Sequence, residues 1–161
     1  MSDENETPLL HVRGLSIAYS GHRVVHDVDF DVPAGPFGVG LIGESGSGKT
    51  SIARALVRLL PIDAGSVEFD GRDVADLRGA DLRAYRRSVQ IVFQDGDAAL
   101  DPRMRVRSSV AEALRTHRIV PRAEERERIA RLYAEVDLEP ELADRYPHEL
   151  SGGQRQRVSI A

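Results

Sequence analysis

Eight residues, Gly43-Glu44-Ser45-Gly46-Ser47-Gly48-Lys49-Thr50, constrain this chain more than any others. They satisfy the pattern G-x-x-x-x-G-K-[ST]. Before them runs a short apolar stretch, Phe37 to Ile42; after them Ile52, Ala53, Leu56, Leu59 and Leu60 recur at helical spacing. A glycine-rich loop between a buried strand and a helix start points to phosphate binding. Glycines let the backbone curl until several N–H groups face one anion, and the positive end of the helix dipole adds to them. Lys49 offers a compact charge to the β- and γ-phosphates of a nucleotide, where a planar guanidinium would fit the nest poorly. The Thr50 hydroxyl can ligate Mg²⁺. Composition argues against a turn with a fortuitous lysine: Lys49 is the only lysine, and the other 21 of the 22 basic residues are arginine.

The rest of the composition mainly excludes. The 161 residues suffice for one domain with a real core, and 41% hydrophobic with 30% charged content is that of an ordinary globular protein. No apolar run approaches the roughly 20 residues that span a bilayer, so membrane contact is expected to be peripheral or through a partner. Residues 1–8 begin acidic, without the basic-then-apolar order of a signal peptide, and read as a short disordered tail. The absence of cysteine excludes disulfides and thiolate metal sites and fits a reducing cytosol. A net charge of −4 gives no case for nucleic acid binding.

Leu9 to Tyr19 and Val24 to Val32 read as two strands joined by a turn at Ser20-Gly21, with Val28, Phe30 and Val32 alternating with aspartates. Phe37 to Ile42 reads as a buried strand. Thr50 to Leu60 reads as a helix stopped by Pro61. Ser66 to Phe69 and Val89 to Phe93 are further strand candidates, with a helix around Asp81 to Arg87. From about Val106 to Tyr146 the periodicity is helical and highly charged, Arg122 to Val136 being the clearest helix. The expected organisation is a mixed α/β portion over 9–95, a helical portion over 96–150, and a last helix starting at Ser151.

Leu150-Ser151-Gly152-Gly153-Gln154 is the second chemical motif. Ser151 and two glycines at a helix start expose N–H groups to an anion, although alone they would read as a simple N-cap. With the phosphate loop, this pentapeptide resembles the signature of the ATP-binding cassette family. The resemblance covers nearly the whole chain from Leu9. It implies an α/β P-loop NTPase cassette: a RecA-like core with an antiparallel β subdomain, an α-helical insert, and the C-terminal part of the core missing.

The resemblance also implies roles. ATP and Mg²⁺ would be bound by Gly43, Glu44, Ser45, Gly46, Ser47, Gly48, Lys49, Thr50 and Ser51, with Tyr19 stacking on adenine. Gln94 would be the Q-loop glutamine, reaching Mg²⁺ and the attacking water. The signature residues Leu150 to Gln154 would contact the γ-phosphate of ATP held by a second cassette in a head-to-tail dimer. Val92-Phe93-Gln94-Asp95, Leu100-Asp101-Pro102-Arg103-Met104 and Asp144-Arg145-Tyr146-Pro147-His148-Glu149-Leu150 look like the oligopeptide, dipeptide and nickel importer branch. Its members act at the cytoplasmic face of the membrane with permease subunits and, indirectly, an extracellular or periplasmic substrate-binding protein.

Gly35-Pro36 and Gly96-Asp97 depart from the branch pattern. The Walker B aspartate, the catalytic glutamate and the switch histidine, which the family places after the signature, have no counterpart here. Asp95 and His148 precede the signature and do not fill those roles. The expectation is therefore a chain that holds ATP but lacks what activates water, and that leaves apolar strand faces open. A soluble cassette ATPase acting on DNA or ribosomes, and a catalytically inactive fragment, are the alternative readings.

Overall fold

The computed structural model describes residues 8–94 and 99–161, and its internal contacts divide the chain into two units at Ile91/Val92. The expectations for the tail and for Asp95, Gly96 and Asp97 lie outside the described residues.

In the first unit, β1 (Leu10–Tyr19) and β2 (His22–Val32) form an antiparallel hairpin with a register running from Leu10↔Val32 to Tyr19↔His22. On its other edge β1 pairs antiparallel with β3 (Ala64–Phe69), and β4 (Arg72–Asp73) completes the order β2-β1-β3-β4. Its central place explains why Val12, Leu15 and Ile17 of β1 are fully buried. Gly65 of β3 has no alternative: a Cβ there would lie 2.4 Å from the Gly14 carbonyl. Two helices, α1 (Lys49–Leu56) and α2 (Gly79–Ser88), contribute Ile52, Ala55 and Tyr85 to the same core. The Tyr85 ring meets Phe69 edge-on at 5.3 Å and its hydroxyl donates to the Leu56 carbonyl. Burial pushes the Tyr85 phenol up to about 12.

Three sequence expectations change here. The helix expected to reach Leu60 ends at Leu56, because Arg58 turns left-handed at φ 56°. Its N–H donates to Ala55 O at 2.9 Å and that of Leu59 to Arg54 O at 2.8 Å, the paired bonds of a Schellman stop. Phe37 to Ile42 forms no strand, and Val89 to Phe93 forms none either. The physical reason is the same for both. A buried strand exists only where neighbours supply its ladder, and among the described residues nothing pairs with these. Phe37 is 65% exposed, Ile42 100% and Val92 52%.

The second unit is helical. It contains α3 (Val106–Thr116), α4 (Glu125–Glu135) and α5 (Gly152–Ile160), with 3₁₀ turns at Arg122–Glu124, Pro140–Asp144 and Pro147–Glu149. The helix expected from Arg122 thus opens with a 3₁₀ turn before α4. Val106, Val110 and Leu114 of α3 share a core with Ile129 and Tyr133 of α4, Leu138, Leu150 and Val158. Arg115 holds Glu125 by two 2.6 Å hydrogen bonds, which keep that carboxyl below its usual range. Both α3 and α4 stop as α1 does, on left-handed Arg118 (φ 51°) and Asp137 (φ 53°).

Candidate functional site

The loop Gly43 to Gly48 leads directly into α1 and is open to solvent, with Gly48 and Lys49 half-buried. Gly46 and Gly48 have φ of 85° and 91°, a region where a side chain is strained. Gly48 is fixed by space as well: a Cβ there would lie 2.7 Å from Val25 Cγ2 and 2.9 Å from Val24 O. The last glycine of the loop is therefore seated against β2. The first turn of α1 has no side-chain cap and no acidic residue, so its N–H groups and the helix dipole remain available to an anion.

Lys49 curls back over the loop. Its Nζ donates to Gly43 O at 2.8 Å, to Glu44 O at 2.6 Å and to Ser47 Oγ at 3.2 Å. Thr50 is exposed on the first turn of α1, with Ser51 half-buried behind it. Tyr19, 40% exposed, ends β1 opposite His22. It lies two residues beyond Ile17, the cross-strand partner of the same Val25 that abuts Gly48. That register puts the Tyr19 backbone roughly 7 Å along β1 from the residue opposite Val25. β2 thus joins two of the residues singled out by sequence.

The signature residues form a helix start in the second unit. Ser151 caps α5: its Oγ accepts from the Gln154 N–H at 3.3 Å, and its own N–H donates to Gln154 Oε1 at 2.9 Å. Leu150 is buried and anchors the segment. Just upstream, the Glu149 carboxylate accepts from the Tyr146 N–H at 2.7 Å and from Arg145 at 3.1 Å, and both bonds hold its pKa below the usual carboxylate range. A Cβ on Gly153 would meet nothing, and one on Gly152 only the far end of Arg155 at 3.9 Å. Packing among the described residues therefore does not require glycine at either position. Gln94 is exposed in the second unit.

Sequence reasoning missed the seating of Gly48 on Val24 and Val25, and the bond from Lys49 to Ser47. The first arises from a strand some twenty residues upstream, which no local pattern announces. The second involves a position that the motif leaves unspecified.

An antiparallel β layer, two helices on it, a phosphate loop opening α1 and a separate helical unit make an α/β nucleotide-binding cassette of the P-loop class. The comparisons with known proteins agree. The ABC transporter domain matches residues 25–161, and the chain belongs to that family. The oligopeptide transport ATP-binding protein OppF of Streptococcus mutans is 39% identical over 164 residues, a match covering 98% of this chain and 53% of that protein. The dipeptide transport ATP-binding protein DppF of Lactococcus lactis is 40% identical over 161 residues, covering 95% and 51%. The chain thus spans about half the length of the curated relatives it matches. Among solved structures, a dimeric ATP-binding cassette in a post-hydrolysis state with ADP and Pi superposes with a TM-score of 0.79 at 27% identity, over 94% of this chain and 67% of that one. The structure of cbiO1 from Clostridium perfringens, part of an ABC transporter complex, gives 0.73 at 27% identity, over 96% and 60%.

Proposed function

We propose that this chain is the ATP-binding part of a subunit that powers peptide import. The observation that carries the reading is Lys49, whose ammonium stands at the mouth of a loop with two left-handed glycines and an uncapped helix start. The names of the relatives, oligopeptide and dipeptide transport ATP-binding proteins, support peptide as the cargo. They also favour import over action on DNA or ribosomes.

In this reading the loop N–H groups and Lys49 hold the phosphates, Ser45, Ser47, Thr50 and Ser51 add hydroxyls, and Tyr19 stacks on the adenine. Mg²⁺ would arrive on the nucleotide. Among the described residues no group of three or more His, Asp or Glu gathers to hold a metal, and the exposed Thr50 hydroxyl suits a single ligand to an ion held mostly by phosphate oxygens. Gln94 keeps the Q-loop role that the family resemblance implies. Ser151, Gly152, Gly153 and Gln154 would meet the γ-phosphate of ATP on a second cassette, and two unneeded glycines on an open helix start fit such an approach. Permease subunits, a second cassette and an external substrate-binding protein are the expected partners, with the protein lying peripherally at the cytoplasmic face of the membrane.

We assign no general base among these 161 residues. The chain by itself is therefore expected to bind MgATP and to turn it over at least about 10²-fold more slowly than a cassette with its base. Calorimetric titration of the full chain with MgATP tests the reading. Binding is expected, and Lys49→Ala should weaken it about tenfold or more through loss of charge-assisted bonds to phosphate. No binding, or equal binding by the variant, would overturn the assignment.

A further inference from the structure

A lysine ammonium has three N–H groups, and in this structure the loop that carries Lys49 provides an acceptor for each. Two of the acceptors, Gly43 O and Glu44 O, belong to the backbone. The third, Ser47 Oγ, is the only side-chain acceptor of the set. A second observation converges on the same hydroxyl. Gly43 lies outside the left-handed region, so its backbone could carry any L residue. What a side chain there would contest is the place of the Ser47 hydroxyl: a Cβ would lie 2.7 Å from Ser47 Oγ and 3.4 Å from Ser47 Cβ.

We propose that Ser47 is the positioning residue of Lys49, and that Gly43 is glycine in order to leave the Ser47 hydroxyl its place. Before nucleotide arrives, the hydroxyl and the two carbonyls hold the ammonium at the loop mouth. A free lysine side chain carries substantial rotamer entropy, which phosphate binding would otherwise have to remove. With the ammonium already stationed, that loss precedes the ligand. On contact the ammonium turns its two carbonyl-bound donors to phosphate oxygens and keeps its bond to Ser47 Oγ, so the station made beforehand is the one used in the complex. The proposal rests on the reading of this loop as a phosphate site, but its first test does not require nucleotide.

The chain has one lysine, so its ¹⁵N-labelled ε-ammonium signal reports Lys49 alone. In the full wild-type chain that signal should be protected from exchange with water. Ser47→Ala should accelerate the exchange several-fold. Gly43→Ala, which keeps the hydroxyl but displaces it, should do the same, whereas Ser45→Ala, whose hydroxyl is not a partner of Lys49, should leave the signal as it is. MgATP affinity should fall roughly 3- to 10-fold in Ser47→Ala, the scale of one hydrogen bond near water, with the thermal midpoint unmoved. An unprotected wild-type signal, or a signal indifferent to Ser47→Ala, would overturn the proposal, as would undiminished MgATP affinity in Ser47→Ala beside a binding wild type. If no form binds MgATP, the nucleotide reading fails and the ammonium comparison still decides the role of Ser47.

Discussion

Two buried tyrosines show how much a single oxygen atom can matter. Tyr133 is fully buried and its hydroxyl has no hydrogen-bond partner among the described residues, while the hydroxyl of Tyr85 donates to the Leu56 carbonyl. Burial pushes both phenols up to about 12, the Asp144 charge adding at Tyr133. Both therefore stay neutral across the physiological range, and the difference between them lies in satisfaction. Tyr133→Phe removes a desolvated group that gives nothing back and should stabilise the chain by about 1 kcal/mol. Tyr85→Phe leaves the Leu56 carbonyl without its donor and should cost about the same or more. Urea denaturation of the two variants checks the pair: the same substitution is expected to move the midpoint in opposite directions.

At the scale of elements, α1, α3 and α4 share one stop. Each ends in the left-handed region on a residue other than glycine, namely Arg58, Arg118 and Asp137. In each case the following N–H reaches back five residues, from Leu59 to Arg54 O, from Ile119 to Leu114 O and from Leu138 to Tyr133 O. A side chain in that conformation costs about 1 kcal/mol that glycine avoids. Arg118→Gly and Asp137→Gly should therefore each raise stability by about 0.5–1 kcal/mol, visible as a higher urea midpoint with an unchanged slope. Arg58 is a poorer target, since its guanidinium donates to Leu77 O at 2.8 Å.

The same stops show what was and was not legible in the sequence. The β1–β2 hairpin, the glycine-rich loop opening α1 and the helix start capped by Ser151 are encoded within short windows, and the structure has all three. The end of α1 is not so encoded. Apolar spacing continues through Leu59 and Leu60, and no glycine marks the turn at Arg58. Phe37 to Ile42 failed for a different reason, because apolar composition states that a segment prefers burial without naming the strand that would bury it. The seat of Gly48 on Val25 is a product of the assembled unit, and no short window contains it; the bond from Lys49 to Ser47 lies within the motif, at a position its pattern leaves open.

For the whole molecule, the run before the glycine-rich loop, unpaired among the described residues, is expected to govern behaviour in solution. Phe37, Val39, Leu41 and Ile42 are all more than 40% exposed in a segment whose backbone has no ladder. Such a run is a template for association with other chains. At concentrations on the order of 10 µM the chain is expected to self-associate. Phe37→Ser and Ile42→Ser should suppress the light scattering several-fold without lowering the unfolding midpoint, since neither side chain belongs to a core. Unchanged scattering in both variants would place the association elsewhere.

That run also adjoins the two carbonyls that hold the sole lysine. Gly43 follows Ile42 directly, so a strand pairing with residues 37–42 would stiffen the backbone from which Gly43 O and Glu44 O project. Pairing and nucleotide binding then become linked equilibria, and linkage is reciprocal. Whatever factor a pairing strand adds to the affinity for phosphate, bound phosphate returns to the affinity for that strand. A ligand on the loop and a strand laid along residues 37–42 would each strengthen the other's hold.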